Sequence, residues 1–256
     1  MFKVTLWILF LAVVSYVLFC VVLYVKQRTL IYYPTFPTRS NEAEVLWLKN
    51  NGQTLKVWNV QRDSGAALIY FGGNAEDVSQ NLPSFKQLFP HFSLFLLNYR
   101  GYGGSSGQPS ETALFSDARM LYQEVAKTHD TIVVMGRSLG SGVAVYLASH
   151  EKVDKLILTT PFDSMTRLGS AYYPFIPVSR LLVDRFESVS YASAIDNPTL
   201  VLIAEKDEVI PRANSDALVA VLDPSQTTVK VIDRTGHNDI ESNQAYEAFI
   251  KTFVSL

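Results

Sequence analysis

The residues of this chain best suited to chemistry are a serine, an aspartate and a histidine that lie far apart in sequence. Ser138 sits in Gly136-Arg137-Ser138-Leu139-Gly140. In such a Gly-x-Ser-x-Gly pattern the missing side chains let the serine occupy a sharp strand-to-helix turn with its hydroxyl projecting clear, a nucleophile elbow. A serine hydroxyl attacks carbonyl carbon only when a base removes its proton and an acid orients that base. Of the four histidines, His150 and His237 follow Ser138. His150 falls at the end of the helix after the elbow, where an imidazole ordinarily caps carbonyls. His237, in Thr235-Gly236-His237-Asn238, follows the last β-branched run and is the expected base. Asp207, in Lys206-Asp207-Glu208-Val209-Ile210-Pro211, is the expected acid, with Asp163 as its rival one strand earlier. The order Ser138, Asp207, His237 is the order of triads built around such an elbow.

The tetrahedral intermediate of acyl transfer carries a negative oxygen, and each backbone N–H aimed at it contributes roughly 2.7–4 kcal/mol. Two donors are expected: the N–H of Leu139, at the start of the elbow helix, and that of Asn74, in the loop Gly72-Gly73-Asn74-Ala75. An ordinary tight turn is the alternative reading of that loop. The glycine run from 101 to 107 lacks the Gly-Lys-Ser/Thr of a phosphate loop and reads as a structural turn. No histidine pair or carboxylate cluster has metal-ligand spacing, and the chemistry calls for no metal and no cofactor.

The elements that must position these groups are legible as alternating apolar runs. Residues 45–49 and 55–60 flank Asn50-Asn51-Gly52 and predict an antiparallel hairpin. Strands are expected at 66–71, 92–97, 131–135, 153–159, 199–204 and 229–232, and helices at about 75–88, 110–127, 139–149 and 241–254. This alternation predicts an α/β domain with a mostly parallel central sheet covered on both faces, its site at the carboxyl ends of the strands. Residues 161–198 are too apolar for a solvated loop and too interrupted by proline for one helix, so they predict a short helical lid.

Ahead of the domain, residues 4–25 contain no charge, proline or glycine and are long enough to cross a ~30 Å hydrocarbon core as one helix. A cleaved signal would need a shorter apolar stretch and small residues at its end, whereas Leu18-Phe19-Cys20 is bulky. The expected division is an anchor over 1–28, an interfacial linker over 29–40 and a catalytic domain over 41–256. The linker reads as a tether, so a chain starting near Asn41 is expected to keep its activity on a water-soluble ester. Lys26, Arg28 and Arg39 outnumber Lys3, a slender bias toward a cytoplasmic domain. The net charge of -2 argues against a nucleic-acid partner, and the one cysteine, Cys20, excludes an intrachain disulfide. Oligomeric state is not encoded in any of these features.

With these motifs in place, and with Asn98-Tyr99-Arg100-Gly101-Tyr102-Gly103 and Pro161-Phe162-Asp163-Ser164 beside them, the chain resembles the membrane-anchored, single-domain α/β-hydrolases related to serine aminopeptidases and depalmitoylating hydrolases. The resemblance runs from about Tyr32 to the C-terminus. It implies a triad of Ser138, Asp207 and His237, oxyanion donors at Asn74 and Leu139, and hydrolysis of a carboxylic ester or thioester, with lipid-like acyl groups among the substrates. One departure is Gly72, where such proteins usually carry histidine. Peptide or amide hydrolysis and a catalytically silent binding module are the competing readings.

Overall fold

The computed structural model describes residues 2–255. Helix α1 (Phe2–Ile31) comes first, and the chain then runs without regular structure to the hairpin of β1 (Glu44–Asn50) and β2 (Gln53–Val60). Strand β3 (Ala66–Phe71) leads through a 3-10 turn (Val78–Asn81) into α2 (Leu82–Leu88). Next come β4 (Ser93–Leu97), α3 (Glu111–Val125), β5 (Thr131–Arg137), α4 (Leu139–Ala148) and β6 (Lys155–Thr159). The segment expected to be a lid carries three short helices, α5 (Met165–Tyr172), α6 (Val178–Leu181) and α7 (Ser188–Ala192). The chain closes with β7 (Thr199–Ala204), α8 (Arg212–Val219), β8 (Thr227–Ile232), a 3-10 turn (Ile240–Ser242) and α9 (Gln244–Ser255).

The eight strands form one sheet in the order β1-β2-β4-β3-β5-β6-β7-β8. The hairpin pairs antiparallel, β2 pairs antiparallel with β4, and every other pair is parallel. Strands β3, β4 and β7 read as continuous apolar runs because both of their faces are covered. One face packs Ile69, Phe71, Val134 and Leu158 against residues of α3 and α4. The other packs Leu68, Tyr70, Met135 and Ile157 against α2 and α9. Local signals set the helix starts: the Ser110 hydroxyl accepts from the Ala113 N–H and caps α3, and Ser164 does the same for α5 through Arg167.

Helix α1 is apolar from Val4 to Val25, almost wholly exposed, and long and apolar enough to cross a membrane. It runs three residues past Arg28 and stops before Pro34, which cannot continue a helix. The stretch after it is not a free tether. Tyr32 is 3% exposed, and its hydroxyl donates to the buried carboxylate of Asp184 at 3.1 Å, which also pairs with Arg28 at 2.9 Å. The Gly103 N–H donates to the Thr35 carbonyl, and Lys56 Nζ donates to that of Thr38. Buried apolar area and a buried carboxylate therefore fasten residues 28–38 to the domain.

Candidate active site

The elbow is built by close approach. Ser138 has φ 50° and ψ -117°, a strained conformation for a residue with a side chain. A Cβ at Gly140 would lie 2.0 Å from the Phe71 carbonyl oxygen, and one at Gly136 would lie 2.3 Å from that of Gly140. Only glycine lets α4 start this close to β3. The turn itself is fixed by the Ser138 N–H, which donates to the Thr159 carbonyl at 3.0 Å.

The Ser138 hydroxyl points at His237, with Oγ 2.9 Å from Nε2. On the other side of the ring, Nδ1 stands 2.9 and 3.0 Å from the two carboxylate oxygens of Asp207. A proton on Nδ1 leaves Nε2 free to accept the serine proton. Asp207 is held in turn, since its Oδ1 accepts from the N–H groups of Val209 and Ile210. Both side chains are about 5% exposed. The three residues singled out in the sequence are thus brought within hydrogen-bond reach from three separate loops. Asp163 points elsewhere: its carboxylate accepts from the Asn214 amide at 2.6 Å and pairs with Arg167. His150 sits at the end of α4 with Nδ1 2.8 Å from the Tyr146 carbonyl, the capping position expected of it.

Leu139 and Asn74 flank Ser138 in the wall of one cavity. Among the described residues neither N–H donates to a protein acceptor. The loop carrying Asn74 has more bracing than its sequence suggests. The Asn74 amide donates to the Ile31 carbonyl at 2.6 Å, and its Oδ1 accepts from the Tyr33 N–H and the Tyr102 hydroxyl. The Tyr99 hydroxyl donates to the Gly72 carbonyl at 2.8 Å. Burial, followed by the Glu76 charge, pushes that hydroxyl well above the ordinary tyrosine value, so it stays a donor. The glycine run of 101–107 is therefore a turn that brings Tyr102 under Asn74. A Cβ at Gly72 would meet Val78 Cγ1 at 2.5 Å, so here a valine fills the space a larger residue at 72 would need.

Sequence reasoning missed Arg137 and Glu76. The Arg137 guanidinium donates to Glu76 Oε2, to the His237 carbonyl and to Asn238 Oδ1, each at 3.1 Å. Its Nε faces Glu241 Oε1 at 3.3 Å without the alignment of a hydrogen bond. Glu76 accepts in addition from the Gly73 N–H at 2.6 Å and from the Tyr70 hydroxyl at 2.7 Å. One ion pair thus ties the Asn74 loop, the elbow and the His237 loop together. Arg137 occupies a variable position of Gly-x-Ser-x-Gly, and spacing alone carries no signal that it meets Glu76.

The cavity over Ser138 has a volume of about 520 Å³, within the ~300–1,000 Å³ of small-molecule sites. Its walls come from the lid (Met165, Leu168, Tyr173, Ile176), from the 207–210 loop and, unexpectedly, from the end of α1. No charged side chain lines it. Among the described residues no group of three or more His, Cys, Asp or Glu is placed to hold a metal ion.

A model of the alpha/beta hydrolase fold matches residues 66–186. An uncharacterized protein of Mycobacterium tuberculosis is 33% identical over 247 residues, covering 90% of this chain and 88% of the relative. Protein bem46 of Schizosaccharomyces pombe is 26% identical, covering 91% and 87%. Alpha/beta hydrolase domain-containing protein 17C of Xenopus laevis is 29% identical, covering 82% and 68%. Among solved structures, an esterase of Pyrococcus furiosus superposes with a TM-score of 0.71 at 13% identity, covering 88% of this chain and 98% of that one, a likeness of fold.

Proposed function

This chain belongs to the alpha/beta hydrolase family, and from that premise we propose that it is a membrane-anchored serine hydrolase that cleaves apolar carboxylic esters or thioesters. The observation that carries the reading is Ser138 Oγ at 2.9 Å from His237 Nε2, on the wall of a cavity with no charged lining. In the proposed reaction Oγ bonds to the acyl carbon while Nε2 takes its proton. The carbonyl oxygen becomes an oxyanion that accepts from the N–H groups of Leu139 and Asn74. Its collapse expels the alkoxide or thiolate, which takes the proton from His237 and leaves an acyl-enzyme. Water then attacks that ester, gives its proton to Nε2, and the acid departs as Oγ is reprotonated. Asp207 holds the imidazole in the needed tautomer throughout. The missing carboxylate in the lining disfavours a peptide substrate with a charged amino terminus, which would be buried unpaired.

The anchor reading of α1 is supported by its length and apolar surface, and by the fastening of its last turns to Asp184 and Asn74. Removal as a signal would strip a wall from the cavity. A fluorophosphonate probe should label the wild type and fail to label Ser138→Ala. Ser138→Ala should also lose turnover of a short acyl ester while its thermal unfolding stays close to wild type. Equal labelling of both would refute the assignment of the nucleophile.

A further inference from the structure

The lid meets α1 near its end, where Gln27 donates to the Leu181 carbonyl, and at the lid tip as far back as Tyr16. With 30 residues, α1 is ~45 Å long, and a ~30 Å hydrocarbon core takes about 20 of them. If the span begins at the first turn, the far boundary falls near Val21 or Val22. The remaining residues include Leu23, Tyr24, Gln27, Leu30 and Ile31, which line the cavity, and Lys26 and Arg28, which suit the headgroup layer. Tyr16 lies about five residues, or ~7 Å, inside that boundary. Its hydroxyl donates to the Phe175 carbonyl in the lid at 2.7 Å.

The lid tip suits this depth. Residues 168–179 carry no charge, and Arg167 and Arg180 flank them. Tyr173, which also lines the cavity, is 63% exposed and Phe175, which does not, is 86% exposed, so the tip carries aromatic surface that the domain leaves uncovered. Most backbone donors of the tip are met internally, that of Phe175 excepted. The N–H groups of Tyr173, Ile176 and Val178 donate to Gly169, Tyr173 and Ile176 carbonyls, and Pro174 and Pro177 have none to satisfy. At the headgroup boundary the one that remains is within reach of water and headgroups, and the rest meet the demand that lipid makes on irregular backbone.

We infer that the lid tip inserts into the leaflet beside α1, and that the cavity above Ser138 opens sideways into the bilayer between α1 and the lid, so that a membrane-resident acyl chain enters without crossing water. The depth, ~5–10 Å, is that of amphipathic elements lying in the headgroup boundary. The acyl part rests on the hydrolase reading above; the insertion does not.

Full-length protein is reconstituted in phosphatidylcholine vesicles with Cys20→Ser, which removes the native thiol, and a nitroxide is attached at Phe175→Cys. References are Val14→Cys within the span and Asp63→Cys on the far side of the domain. The label at 175 should be relaxed by oxygen and shielded from a water-soluble nickel chelate, as at 14. Chelate access equal to that at 63 overturns the insertion. In parallel, Phe175→Asp, at a residue outside the cavity lining, should lower hydrolysis of a long-chain acyl ester in vesicles at least tenfold while a water-soluble acetyl ester turns over within twofold of wild type. Equal rates on the vesicle ester overturn lateral entry. A wild type that takes no fluorophosphonate and cleaves neither ester overturns the hydrolase reading and with it the acyl route, while the nitroxide still decides the depth of the lid.

Discussion

The sharpest distinction at the scale of single residues is between two aspartates. Asp207 meets the imidazole and Asp163 meets Asn214. Asp207→Asn should therefore lose roughly 10⁴-fold in kcat by favouring the wrong tautomer, with little change in thermal unfolding. Asp163→Asn should show the reverse, a lower Tm with kcat near normal, because it disturbs a buried hydrogen bond away from the reacting atoms. Steady-state kinetics and melting of both variants decide it. Arg137 offers a second test. Removing a guanidinium that steadies three loops should displace the reacting groups, so Arg137→Ala should lower kcat by about 10²-fold, with Arg137→Lys recovering part of it. Glu241 adds a pH signature. Burial, then the charge of Glu76, push its carboxyl above the usual glutamate range, with Arg137 pulling the other way. A raised folded-state pKa means that this group favours folding below the ordinary glutamate value, and that the contribution is lost as pH rises through the folded value. Glu241→Gln should melt like wild type near pH 4 and gain in relative Tm by pH 7; a relative loss on that path would contradict the shift.

At the scale of elements, the legible parts were those whose physics is local. Strands β3 and β7 fall at 66–71 and 199–204 because a fully buried strand is a continuous apolar run with turn residues on either side. The elbow was legible because its glycines are a steric necessity. Helix α8 was not: it begins after Pro211, and it buries Asn214 and Ser215 beside Leu218, so no apolar period marks it. The bracing of the Asn74 loop was invisible too, since its partners Ile31, Tyr33 and Tyr102 lie 28 to 43 residues away. Gly72 now has a physical reason, the Val78 methyl where a Cβ would go. Gly72→Ala should cost ~1–3 kcal/mol through overpacking, and the cost should shrink in a Val78→Ala background. Denaturant unfolding of the double-mutant cycle measures that coupling, and strict additivity would show that Val78 is not the obstacle.

For the whole molecule, the fastening of residues 28–38 changes the expectation for a truncated chain. A tethered domain starting near Asn41 would have kept its kcat on a soluble ester. The structure instead predicts that this truncation loses the buried Tyr32 and leaves Asp184 inside the protein with neither Arg28 nor Tyr32 beside it. It also removes both backbone partners of the Asn74 side chain that come from 31–33. The truncated chain should melt roughly 10 °C or more below the full chain, from the cost of an unpaired buried charge. Its turnover of a water-soluble acetyl ester should fall as well, which calorimetry and a spectrophotometric assay would register together. Unchanged melting and turnover would restore the tether.

The pairing of Arg28 and Tyr32 with Asp184 also imposes a schedule on synthesis. The partners are 156 and 152 residues apart, so at 5–20 residues per second the carboxylate emerges about 8–30 s after the helix end it must meet. By then α1, which precedes the domain and is long and apolar enough to cross a bilayer, has had time to leave the ribosome and reach one. Asp184 then pairs with a helix end already made, whereas the brace of the Asn74 loop, drawn from residues 31, 33 and 102, needs nothing from later in the chain. Closing of the cavity would thus come late: a chain not yet made as far as residue 182 carries Ser138 but not the lid wall around it.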